Sequence, residues 1–149
     1  MKILLVSVLI LLLIAAAGLL LLARKSEAAP TLGLQSDTGQ LLPCRYNTQC
    51  VNSQSSDESH IEPFHGLYWD SLPSTVVALG GQIEHQTDHY IWATFRSRWL
   101  GFVDDVEFVF LPEQGIIDVR SSSRVGRSDF GVNRQRVESI RAAVHQSEL

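Results

Sequence analysis

The chain opens on an unbroken apolar run. From Ile3 to Ala23 no charged residue intervenes, and only Ser7 and Gly18 interrupt the leucine, isoleucine, valine and alanine. As a helix rising about 1.5 Å per residue, this run spans the roughly 30 Å hydrocarbon core of a bilayer, so a transmembrane anchor is expected over 1–25. Residues 26–40 are small and polar with Gly and Pro and read as a linker. Residues 41–67 carry turn formers, two cysteines and the run NSQSSDES with no period of 2 or 3.6, which predicts an ordered but irregular arm. Periodicity returns near Tyr68. SLPSTVVALGG predicts a short helix with Ser71 as its cap, Pro73 in the first turn and Val76, Val77 and Leu79 as its apolar side. Strands are then predicted at Gln82–Gln86, His89–Arg98, Gly101–Leu111 and Gly115–Ser122, with connections short enough for hairpins. From Asn133 to His145, Val137, Ile140 and Val144 share one stripe, the pattern of an amphipathic helix.

The order helix, four strands, helix predicts an α+β domain over 68–149, a four-stranded antiparallel sheet with both helices on one face. Alternation sorts the side chains between the faces. Ile91, Ala93, Phe95, Phe102, Val106, Phe108, Phe110, Ile117 and Val119 should meet the helices. Thr94, Arg96, Arg98, Asp105, Glu107, Asp118, Arg120 and Ser122 fall on the opposite face, expected to be an open lattice of both charges.

Charge narrows the partners. From Ser26 onward nine arginines and no lysines face 16 carboxylates, a net of 9 − 16 = −7, which argues against nucleic acid. The distribution is lopsided: residues 27–88 hold eight acids against Arg45 alone, while 120–141 hold six arginines against Asp129 and Glu138. Cys44 and Cys50, with five residues between them, lack the spacing and second ligand pair of a zinc knuckle, so a disulfide is expected, two free thiols in a cytosolic chain being the other reading. A bridge places the domain outside the reducing cytosol, on the periplasmic side of an inner membrane crossed once. Lys2 and the amino terminus balance Arg24 and Lys25, so charge alone does not orient the helix. A signal peptide cleaved near Ser26 and Ala28, releasing a periplasmic protein, is the alternative.

Four segments, PCRYNTQCVNSQ, HIEP, FVDDVEF and VRSSSRVGRSDFGVNRQRVESIR, together resemble the domain of unknown function 1499 family, over Leu42 to about Ala143. The resemblance implies a Cys-containing arm joined to this sheet and terminal helix, in often membrane-anchored or secreted bacterial proteins, and carries no established activity. The chain departs from the family pattern at Arg45, Tyr46 and Asn47, where a Pro-rich turn is usual.

Three groups of residues are candidates for chemistry. His60, Glu62 and His65 have ligand-type side chains, with His85 or His89 as a fourth, but lack a zinc motif; no metal or cofactor is expected. Asp105 and Glu107 share a strand face, and Asp104 points to the other, so the adjacent aspartates are no catalytic dyad; ion pairs with Arg96 or Arg120 are the expected use of the first two. Asp104 is expected to be structural, held by backbone N–H groups or an arginine of the last helix. The third group is the connection that follows the last strand, where Arg120, Ser123, Arg124, Arg127 and Asp129 lead to Asn133, expected to cap the helix. Guanidinium forks, hydroxyls and a helix N-terminus suit either an internal network with Asp104 or Asp105 or an external anion. The leading functional expectation is a non-enzymatic envelope domain that binds a protein partner or an anionic component through the sheet face and the arginine loop. The alternatives are a hydrolase of an anionic or envelope substrate, and a binder of lipid or another amphiphile between sheet and helices.

Overall fold

The computed structural model describes residues 2–28, 32–35 and 39–147. Helix α1, Lys2–Ser26, is exposed along almost its whole length, with Ala23 and Ser26 alone buried. Its apolar run has the length of a membrane anchor or a signal sequence. The expected linker includes 29–31 and 36–38, outside the described residues; its described part at 32–35 packs on the domain, with Leu34 bridging to Leu41.

The sheet has six strands, not four. The expected strands appear as β3 (Gln82–Gln86), β4 (Tyr90–Arg96), β5 (Val103–Leu111) and β6 (Ile116–Ser123), all antiparallel. The additional two come from the arm. Strand β1, Cys50–Asn52, and strand β2, Phe64–His65, both pair antiparallel with the far edge of β6, giving the order β1-β6-β5-β4-β3 with β2 beside β6. Three and two residues are too few to display a period of 2, so pairing with β6, rather than local pattern, makes them strands.

Helices α2, Leu72–Ala78, and α3, Val132–Ser147, cover one face. Between them and the sheet lies the core, where Leu72, Val76, Ile91, Ala93, Val106, Phe108, Ile117, Val119, Val137, Ile140 and Val144 are fully buried. Phe64 from β2 meets Phe108 edge-on at 5.8 Å, which ties the arm into this core. Two details of α2 differ from expectation. Ser71 has helical dihedrals and its hydroxyl donates to the Tyr68 carbonyl, so it makes no side-chain cap. The buried side is Leu72, Thr75 and Val76, at the three- and four-residue spacing of one helix face, while Val77 and Leu79 face outward.

Cys44 and Cys50 form a disulfide with Cα atoms 5.6 Å apart. Since Cys50 pairs with Ser122, the bridge fastens the arm to the end of β6 and marks a domain outside the reducing cytoplasm.

Candidate functional site

The face of the sheet turned from the helices is charged, as alternation dictates, but it is not open. Asp105, Glu107, Asp118 and Arg120 are each at least 95% buried. The arm and the described linker residues lie over them and complete their hydrogen bonds. Ser53 and Gln54 donate to the Asp118 carboxylate at 2.7 and 2.6 Å, and the Gly33 N–H donates to Glu107 at 2.7 Å. Glu107 and Arg120 are direct cross-strand partners, joined at 2.8 Å, and Tyr90 gives its hydroxyl to the same carboxylate at 2.7 Å. Burial, and then the bond to Glu107, hold the Tyr90 phenol protonated well above its ordinary range. Buried charges of this kind persist only when paired and hydrogen-bonded, and the polar run NSQSSDES supplies the missing donors. The β5–β6 part of this face is thus structural, while Glu84 and Arg96 on β3 and β4 remain exposed.

The arginine connection divides its work between the two faces. On the covered face Arg124 makes a two-pronged contact with Asp105, both bonds 2.7 Å, while Trp92 donates to the same carboxylate at 2.9 Å. The remaining guanidinium nitrogen donates to the Ser26 carbonyl at 3.2 Å, at the C-terminus of α1, where cations are favoured by the helix dipole. On the helix face Asp104 pairs with Arg136 of α3 at 2.6 Å. Arg96 turns from both carboxylates to Glu27, at 3.2 Å.

Asn133 does not cap α3. It lies inside the first turn, fully buried, where Ser121 donates to its side-chain oxygen and its amide donates to the Gln49 carbonyl, Ser123 and Asp129. The cap is Asp129, whose carboxylate accepts the N–H groups of Gly131 and Asn133 at 2.9 and 2.8 Å. An aspartate three residues before the first helical one is the signal that could have located it.

The HIEPFH segment is held by its backbone. Arg134 donates to the Glu58 and His60 carbonyls, and Arg141 to those of Glu62 and Pro63. His60 approaches Glu62 at 3.5 Å and His65 accepts the Leu67 N–H, yet among the described residues no three ligand-type side chains gather as a metal would require.

What the chain does assemble is a cavity of about 370 Å³ where α1 enters the domain. Leu22 and Lys25 form the wall from α1, Arg45, Tyr46 and Gln49 the wall from the disulfide loop, and Arg124 and Arg127 the wall from the arginine connection. Four cations and Asp105 leave a net lining charge of 4 − 1 = +3, and Arg124 already neutralises the aspartate. Lys25, Arg45 and Arg127 have no carboxylate partner among the described residues; Arg45 and Arg127 instead lie 5.3 and 5.7 Å from the Tyr46 ring centre. Gln49 is buried, and its side-chain oxygen has no donor among the described residues. Sequence reasoning missed Lys25, Arg45, Tyr46 and Gln49; the pairing of Cys50 with Ser122 brings the disulfide loop to the arginine connection, and the bonds of Ser26 to Val103 and Arg124 bring Lys25 there.

A sequence model of one protein family, described as protein of unknown function (DUF1499), matches residues 40–144. The chain belongs to the DUF1499 family. The matched span of this DUF1499 protein takes in the disulfide loop, all six strands and most of α3 but not α1. Arg45, Tyr46, Gln49, Arg124 and Arg127 are therefore within the family domain, while Leu22 and Lys25 lie outside it. Comparison with curated proteins gives no match, and comparison with solved structures gives none.

Proposed function

We propose that this DUF1499 protein is a non-enzymatic domain anchored by α1 on the periplasmic face of the inner membrane, and that its basic cavity binds a phosphate-bearing anionic component of the envelope. The observation that carries the reading is the ring of Lys25, Arg45 and Arg127, cations with no carboxylate partner among the described residues, around a cavity whose own carboxylate is already satisfied. The cavity falls within the roughly 300–1,000 Å³ of small-molecule sites, and guanidinium forks match phosphate oxygens. Its level supports a headgroup as the occupant. Ser26 lies three residues, or about 4.5 Å along the helix, beyond the last apolar residue Ala23, inside a headgroup layer roughly 5–8 Å deep. Ser26 also favours retention of the helix over cleavage. It is fully buried, its hydroxyl accepts the Val103 N–H at 3.1 Å and its carbonyl accepts from Arg124, so a peptidase cutting nearby would strip a packed residue from the sheet.

The test is a thermal melt of the full chain in neutral detergent, titrated with short-chain phosphatidylglycerol and, separately, with inorganic phosphate. A saturable rise in Tm with the lipid is expected, following the linkage between binding and stability. It should vanish in the Arg45→Glu, Arg127→Glu double variant. A wild-type Tm indifferent to both lipid and phosphate, or an equal rise in the variant, rejects the site; a rise with phosphate but not with lipid overturns the headgroup and assigns the site to a soluble anion.

A further inference from the structure

The β4–β5 hairpin ends in an exposure that the fold does not require. Trp99 is 86% exposed at its tip, with the Arg98 guanidinium 5.3 Å from the indole ring centre. The loop is not loose: the Ser97 N–H donates to the Phe102 carbonyl at 2.9 Å, the Gly101 N–H donates back to Ser97 at 3.0 Å, and Gly101 takes the positive φ that closes so tight a turn. Phe130, in the connection to α3, is 97% exposed and holds a φ of 55°, a conformation uncommon for a phenylalanine. A stiff hairpin and a strained backbone thus both present aromatic rings to the surroundings.

Topology puts both rings at one end of the sheet. The C-terminal ends of β4 and β6, the start of β5 and the start of α3 all lie there, and α1 joins at that same end. Two contacts fix the hairpin to α1: Val103 N–H to the Ser26 hydroxyl at 3.1 Å, and Arg96 to Glu27 at 3.2 Å. Trp99 is four residues before Val103, so at most about 14 Å of chain separates the indole-bearing backbone from the end of α1. Arg24, Lys25, Arg45, Arg96, Arg98 and Arg127 lie at this end with Glu27 and Asp129, a basic excess, whereas the opposite turns carry Asp88 and Glu113. Indole rings and arginines flanking an apolar helix are the composition of a membrane interface, the ring settling among headgroups and the guanidinium reaching phosphate.

We infer that the tip of the β4–β5 hairpin, Trp99 with Arg98 and Leu100, docks together with Phe130 on the bilayer surface beside α1. This rests on the reading of α1 as a membrane anchor. The hairpin is a second foot that fixes the tilt of the domain and keeps the mouth of the basic cavity against the headgroups.

Full-length chain is reconstituted into vesicles of phosphatidylcholine and phosphatidylglycerol whose acyl chains carry bromine, and wild type is compared with Trp99→Ser. The three tryptophans are Trp69, Trp92 and Trp99, and the first two are partly buried in the domain, so the difference between the proteins reports Trp99. Both proteins should float with the vesicles. A brominated-lipid quench in wild type should disappear in the variant, and the Trp99 signal should be shielded from aqueous iodide. Flotation of both proteins with equal lipid quenching, or a Trp99 signal open to iodide, overturns the docked hairpin and leaves the anchor standing. Failure of wild type to float overturns both.

Discussion

Replacing Glu107 by glutamine tests whether the covered face is the electrostatic keystone of the domain. The amide keeps the size of the side chain and an oxygen to accept from Tyr90 and Gly33, so what is lost is the charge opposite Arg120, 2.8 Å away. Both side chains are at least 95% buried, so the pair is broken where water screens charge little. Breaking a buried pair in this way costs about 3–5 kcal/mol. Against a total stability of roughly 5–15 kcal/mol, that is about a fifth at the least. In a domain of this size each kcal/mol moves Tm by about 3–5 °C, so a fall of roughly 10–20 °C is expected for Glu107→Gln in thermal melts of the detergent-solubilised chain. The paired variant Glu107→Gln, Arg120→Met should recover most of the loss, because it removes both charges of the pair, with a coupling of about 2 kcal/mol or more across the cycle. A single-variant loss under about 1 kcal/mol, or losses that simply add, would refute the argument and show that water screens the pair.

Other expectations are smaller in scale. Asp129→Ala removes the acceptor for two N–H groups at the start of α3 and should cost about 1–2 kcal/mol by urea denaturation, with no loss signalling another cap. Gly66→Ala would set a Cβ 2.9 Å from the Gly115 carbonyl, so a loss of about 1–3 kcal/mol is expected, and an unchanged urea midpoint would mean that the 66–115 contact yields freely. Reduction of the Cys44–Cys50 bridge, which closes a short loop, should lower stability by about 2.4 kcal/mol by chain-entropy reasoning, read as the difference between melts with and without reductant. The folded-state pKa of Tyr90 is raised, so its contribution to stability is complete below the ordinary phenol value of about 10 and is lost as pH climbs beyond it. In an alkaline absorbance titration the last component should coincide with unfolding and be absent from Tyr90→Phe.

The long strands and α3 were legible because each displays its period over five residues or more. Face assignments held for the same reason: Phe108 and Val119 are buried against the helices, and Glu107 and Arg120 point away from them. Alternation reports direction, however, and says nothing of what lies over a face. The arm covering Glu107 and Asp118 reads as polar loop, since Ser53, Gln54 and Gly33 act through hydrogen bonds that leave no hydrophobic trace. The same limit hid the cavity. Arg124 stood out in a basic run, but Lys25 looked like a helix flank and Arg45 like an isolated charge in an acidic half.

Leu22 and Lys25 belong to the apolar helix and to the cavity wall at once, three residues apart and so on one side of α1. With α1 in a bilayer, that shared wall couples lipid mechanics to ligand geometry. Each residue of helical screw turns the side-chain fan by about 100° and advances it about 1.5 Å, so small adjustments of α1 to bilayer thickness would reposition Lys25 against Arg45 and Arg127. Arg124 and Ser26 oppose such sliding by clamping the end of the helix to Asp105 and Val103. On the proposed reading, the clamp would convert hydrophobic mismatch into strain at the cavity rather than into free rotation, and affinity for the proposed anion would vary with acyl-chain length even with headgroup composition held constant.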